Sequence, residues 1–226
     1  MQSADVLARI QLLSDPRAVA AWARVGVGPD RYLGANLTKL KELAKVVKKN
    51  HELAIELWDT GIHDAKLLAT MIERPKKVTS EQIDMQMEQV YTVDLADKYC
   101  SNIIVKTPFV QKKIDQWCES DVEMHRRSCY MLIATQAKSN RELSDTYFEA
   151  ILQTIEQKVQ QEQNWVKEAM NYALIAIGSR NKYLNRLSVT LARRVGIIEV
   201  DYGMSACQTP NALVKLTAQK LVQGLA

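Results

Sequence analysis

Apolar residues return every three or four positions along nearly the whole chain, and no stretch sustains the strict alternation of a half-buried strand. In NLTKLKELAKVVKKN, residues 36–50, Leu37, Leu40, Leu43 and Val47 mark one side of a predicted helix. Lys39, Lys41, Lys45, Lys48 and Lys49 occupy the other side. HELAIELWDTG and IHDAKLLATMI predict two short helices broken at Gly61. Pro75 stops the second of these, and Thr79 with Gln82 can box the start of the next. FVQKKIDQWCES (109–120) and DVEMHRRSCYMLIATQAKS (121–139) predict a further pair, as do residues 144–160 and 164–180. KYLNRLSVTLARRVG and TPNALVKLTAQKLVQ close the chain, with Thr209 as N-cap and Pro210 at the first helical position of the last helix.

The pairs repeat. LLATMI, SCYMLI and MNYALIAI read as one recurring inner helix, and Arg127 and Lys167 occupy corresponding places in successive units. Helix pairs with a period of about 40 residues are the mark of HEAT-type repeats. The predicted fold is therefore all-α, a HEAT-like helical-repeat solenoid, with residues 1–226 as a single domain because no long polar linker divides it. In such a solenoid the second helix of each pair lines an extended concave surface. Lys66, Arg126, Arg127, Lys167 and Arg180 fall on or beside those second helices.

Composition narrows the picture. The chain has 226 residues, 47% hydrophobic and 25% charged, enough apolar material for a sizeable core. Eight Gly and five Pro are too few for a sandwich or barrel dense in tight turns. Cys100, Cys118, Cys129 and Cys207 form no CxxC pair and have no histidine at ligand spacing, so no structural zinc is expected. They read as reduced, mostly buried thiols. His51, His63 and His125 are scattered and suggest neither a metal cluster nor a catalytic triad. No cofactor is called for. The start, MQSADVLARIQLLSD, lacks the basic and apolar regions of a signal peptide, and no run is long enough to span a membrane. A cytoplasmic monomer without a membrane partner is expected.

The net charge is +4, and its distribution matters more than its total. From residue 164 onward eight basic residues face only Glu168, Glu199 and Asp201, and the helix at 39–49 carries five lysines against one glutamate. A lysine stripe on one amphipathic helix is by itself a solvated face. Two basic regions on a concave repeat scaffold would, however, suit a duplex backbone, where phosphate contacts give affinity without reading sequence. Between them lies YTVDLADKYC, residues 91–100, whose Asp94 and Asp97 share a helix face at i and i+3.

Several segments in order resemble the AlkD-type DNA alkylation repair proteins, built from HEAT-like repeats. They are VGVGPDRYLG with LTKLKELAKVVKK, ELAIELWDTGIHDAKLLATMI, HRRSCYMLI, NWVKEAMNYALIAIGSRN and ARRVGIIEVDYGMSACQTPNA, spanning roughly residues 26–212. The resemblance implies a DNA glycosylase of base excision repair that removes cationic N3- or N7-alkylated purines from duplex DNA without flipping the base. It implies no cofactor. It places the catalytic aspartate at Asp97, a phosphate-binding arginine at Arg127 and an aromatic that meets the sugar at Tyr172. Arg126, Lys167, Arg180, Lys45 and Lys48 are the further candidate contacts to DNA.

The sequence also departs from the pattern. Val93 stands where catalytic members carry a tryptophan four residues before the aspartate, Tyr172 replaces another tryptophan, and Met124 occupies a third common tryptophan position. Two readings follow: an alkylpurine glycosylase, or a non-catalytic relative that binds DNA or a protein segment through the concave face. Each candidate has a plainer alternative as well. Asp94 fits a first-turn carboxylate, Arg127 an inter-repeat ion pair, Tyr172 and Trp165 a core position, and Trp58 and Trp117 the repeat core.

Overall fold

Seven helix starts among the described residues are written by short polar side chains. The side-chain oxygens of Asp15, Asn36, Asn50, Thr79, Ser144, Asn181 and Asn211 each accept a backbone N–H two or three residues further on. Each such cap satisfies an N–H that the helix itself cannot, worth about 1 kcal/mol. Glycine does the breaking. Gly61, at φ +72°, separates two helices, and Gly196, at φ +75°, ends another, conformations that cost a residue with a Cβ.

The computed structural model describes residues 2–203 and 207–225. Among them there is no strand, only an isolated antiparallel bridge between Ser14 and Ala35. The all-α reading holds. The chain forms two compact units, Met1–Val110 and Gln111–Ala226. Among the described residues no helix is long and apolar enough to cross a membrane.

The first unit holds α1 (Ser3–Leu12), α2 (Pro16–Arg24), α3 (Leu37–Val47), α4 (His51–Asp59), α5 (His63–Ile72), α6 (Ser80–Met87) and α7 (Val93–Asn102). Helix α5 is its centre: it packs against α3, α4 and α7 and buries nearly every side chain it carries. Leu57, Trp58, Leu67, Leu68 and Leu95 fill the interior. Asp64, fully buried, ties the entry of the chain to this core. Its carboxylate accepts the Trp22 indole N–H at 3.0 Å and the backbone amides of Leu33, Gly34 and Ala35 at 2.6, 3.4 and 2.8 Å. Four donors on one carboxylate offset the cost of burying its charge.

The second unit holds α8 (Val110–Trp117, starting at the boundary), α9 (Glu123–Ser139), α10 (Asp145–Lys158), α11 (Asn164–Gly178), α12 (Lys182–Val195), α13 (Ala212–Leu216) and α14 (Gln219–Gly224). Helices α9 and α11, the predicted inner helices of successive repeats, lie side by side. Their buried faces include Ala134, Ala137, Ala169 and Ala173 together with Leu132, Ile133 and Leu174. At the end of α11, a Cβ on Gly178 would collide with Leu216 and come within 2.6 Å of the Ser188 Cβ, so only glycine lets α12 and α13 approach there. Trp58 and Trp117 are core residues, as read from the sequence.

Two expectations are corrected. Cys118 and Cys129 are joined as a disulfide across the α8–α9 turn, with Cα atoms 5.4 Å apart, whereas all four cysteines were expected to be reduced thiols. Cys118 lies in the turn just past α8 and Cys129 within α9, an adjacency that a separation of 11 positions does not announce. The cap before α13 is Asn211 rather than Thr209, because the Asn211 side chain reaches the Val214 amide at 3.1 Å and the helix starts beyond Pro210. The Met204–Ala206 part of the predicted connection lies outside the described residues.

Candidate nucleic-acid interface

Asp97 sits in the middle of α7, half-buried. Asp94, one turn earlier, accepts a hydrogen bond from His63 Nε2 at 2.9 Å, and His63 is wholly buried beneath it with its ring edge-on to Trp22 at 4.8 Å. Burial opposes ionisation of Asp94, but the His63 hydrogen bond and charge outweigh it and hold the carboxyl below its ordinary range. Asp94 is a structural partner of α5, and Val93, at the tryptophan position, is half-buried on the first turn of the same helix.

Lys45 and Lys48 are exposed at the end of α3. Lys48 itself closes that helix in the left-handed region, at φ +66°. Their neighbours are otherwise occupied: Lys39 donates to the Leu13 carbonyl, and Lys49 to the carbonyls of Met71 and Glu73. The stripe is therefore part solvated face and part clamp on the ends of α1 and α5.

In the second unit the basic candidates are largely engaged. Arg127, 1% exposed, donates to Glu168 Oε2 at 2.6 Å and to the Trp165 carbonyl at 3.0 Å. Of the two sequence readings for this arginine, the geometry realises the inter-repeat ion pair. Arg126 is half-buried and spreads its donors over Glu162, Gln163 and the Ser120 carbonyl. Arg180 stacks on Phe148 at 4.8 Å and donates to the carbonyls of Ala137, Asn140 and Leu143, where it closes the C-terminal end of α9. Lys167 and Tyr172 are half-buried on α11.

One residue counted in sequence only as a nearby acid organises this region. Glu168 holds Arg127 with one oxygen and accepts the Tyr202 hydroxyl with the other at 2.7 Å. Burial, and the hydrogen bond and charge of Glu168, push the Tyr202 phenol well above its usual range. The segment carrying Tyr202 is fixed by a reciprocal pair, the Asn164 side chain to the Asp201 carbonyl at 2.8 Å and the Asp201 amide back to Asn164 at 2.7 Å. Tyr202 meets Trp165 edge-on at 5.9 Å. The signal available in sequence was the i+1 placement of Glu168 next to Lys167, one repeat after Arg127. Among the described residues no group of three or more His, Cys, Asp or Glu side chains could hold a metal ion.

Residues 6–216 match the family described as DNA alkylation repair enzyme. The "Uncharacterized protein Lin0241" of Listeria innocua serovar 6a is 26% identical over 214 residues, 90% of this chain and 91% of that protein. The "Uncharacterized protein Lmo0209" of Listeria monocytogenes serovar 1/2a is 25% identical over the same length and shares. A solved structure from a new family of proteins related to the HEAT-like repeat DNA glycosylases, with affinity for branched DNA structures, superposes with a TM-score of 0.87 at 23% identity. The match covers 99% of this chain and 94% of that one. The HEAT-like repeat fold read from the helix spacing is the fold of the molecule.

Proposed function

This chain belongs to the DNA alkylation repair enzyme family, and from that premise we propose that it binds duplex DNA and releases cationic N3- or N7-alkylated purines with Asp97 as the working carboxylate. The positive charge of the alkylated base makes it a good leaving group, so no strong general acid is needed. As the glycosidic bond breaks, its electron pair neutralises the purine and oxocarbenium character grows on the deoxyribose. A fixed carboxylate stabilises that cation and orients the water that adds to the sugar carbon. The water then gives up a proton to solvent.

The observation that supports this reading is the placement of Asp97, which stands half-buried in the middle of α7 at the position that the resemblance assigns to chemistry. Tyr172 supplies the sugar-facing aromatic, and the exposed Lys45 and Lys48 add phosphate contacts.

A second reading is favoured by two specific features. Val93 offers no aromatic face to a cationic lesion, and the Arg127 guanidinium is occupied by Glu168 rather than presented to a phosphate. On this reading the protein binds duplex or branched DNA without releasing a base. Incubating wild-type protein and Asp97→Asn with methylated duplex separates the two. Purine release by the wild type alone supports the enzymatic reading. Absence of release from both, with steeply salt-dependent binding to duplex or branched DNA, leaves the binding reading in place.

A further inference from the structure

A cleft of about 520 Å³ opens in the first unit where four chain segments meet. It is lined by Arg31, Lys66, Gln89 and Tyr91, by Asp30 and Glu88, and by the turn at residues 60–62 that precedes α5. Lys66 is its unusual member. Only 4% of its surface is exposed, yet its ammonium meets no carboxylate. Its Nζ donates to Gln89 Oε1 at 3.0 Å and stands over the Trp58 ring at 5.3 Å. Among the described residues no acid lies within ion-pair distance of Lys66 or of Arg31. Arg31 is exposed beside it, with its guanidinium 5.9 Å above the ring of Tyr91.

A buried ammonium without a counter-ion is costly unless something completes its solvation. Two cations facing one cleft compound the cost, and burial together with the nearby Arg31 charge lowers the Lys66 pKa against the smaller opposing charge of Asp59, which lies beyond ion-pair distance. The acids in the lining do not repair the deficit. Glu88 and Asp30 are both exposed, and the Asp30 carboxylate turns back toward Gly28, where a Cβ would lie 3.0 Å from its Oδ1. The turn also delivers the N-terminus of α5, whose N-cap Ile62 has no side-chain oxygen to offer the first helical amides. That end carries the positive pole of the helix.

We infer that this cleft is a phosphate site, in which Lys66 and Arg31 grip the oxyanion and Tyr91 flanks it. The phosphate can come from a nucleic-acid strand or from a free phosphate compound. The strand form deepens the DNA-binding function proposed above and places a backbone contact on the first unit; the free form stands without it. In either form the oxyanion supplies at contact distance the counter-charge that the fold provides to Lys66 only from the more distant Asp59.

The test uses the full-length protein with Lys66→Met and Arg31→Met, the second being an exposed change that leaves the interior untouched. Inorganic phosphate is titrated by calorimetry against matched chloride, and duplex and branched DNA by fluorescence anisotropy across a salt series. The expected result is that the wild type binds phosphate and that each substitution weakens this about tenfold, as removal of one charge-assisted hydrogen bond would. If the occupant is a strand phosphate, each variant also binds DNA more weakly, with a salt slope shallower by about 0.9 for each phosphate no longer neutralised. If DNA affinity is unchanged, or the wild type binds no DNA at all, while phosphate binding still falls in both variants, the occupant is a free phosphate and only the DNA-binding proposal suffers. The site is overturned if phosphate binding is absent or insensitive to both substitutions and DNA affinity and salt slope are insensitive too.

Discussion

Lys66 in the first unit and Arg127 in the second are both buried, and the fold treats them in opposite ways. In the second unit Arg127 is sealed against Glu168 at 2.6 Å, and Tyr202 closes the other oxygen of that glutamate. In the first unit Lys66 reaches the side-chain and backbone oxygens of Gln89 and an aromatic face. A guanidinium whose charge is balanced inside the fold is part of the scaffold. An ammonium whose charge is not balanced there can take its counter-charge from an anion. The lesson is that a basic residue on an inner helix cannot be assigned to DNA by its position alone, since what decides is whether the fold already provides its counter-charge.

The contrast can be broken by removing the partners in turn. Glu168→Leu strands the Arg127 charge in the interior and should cost about 3–5 kcal/mol, read as a loss in the midpoint of denaturant unfolding. Asp64→Ala leaves four donors without their shared acceptor, and we expect a loss of about 3 kcal/mol by the same measurement. Gly178→Ala forces the ends of α11, α12 and α13 apart and should cost about 1–3 kcal/mol. Lys66→Met should change stability by less than about 1 kcal/mol at neutral pH, because it removes a charge the fold does not balance.

The pH dependence sharpens the last of these. The Lys66 pKa is lowered in the folded state, so the unfolded chain holds that proton more tightly. Stability of the wild type relative to Lys66→Met should therefore climb as pH rises toward the lysine range. Asp94 gives the opposite limb. Its folded pKa is depressed, so its contribution is present above the ordinary aspartate value and lost as pH falls through the folded one. An Asp94→Asn variant should show a flatter acid limb in thermal melts.

Much of the scaffold was legible because it is local. Thr79, Gly61 and Pro75 mark boundaries through their own backbone chemistry, and the sequence offered an inter-repeat ion pair as the plainer alternative to a phosphate contact for Arg127. It met Glu168 rather than the corresponding Lys167, since an interior position demands the opposite charge. The site was less legible because it depends on side chains distant in sequence. Nothing near Asp94 announced His63, 31 positions earlier, and nothing near Asp64 announced three amides on the loop at 33–35. Lys66 read as a surface base because helical periodicity gives a face but not what covers it. Arg180 likewise read as a phosphate ligand, whereas its donors end a neighbouring helix.

The reciprocal Asn164–Asp201 pair has an effect on how the molecule would tolerate shortening. Because it pins Tyr202 over Glu168, residues beyond α12 act as a stopper for the buried Arg127–Glu168 pair. Trimming the chain at Gly196 would admit water to a salt link otherwise kept dry, so cleavage at this distal loop would be felt at the heart of the unit.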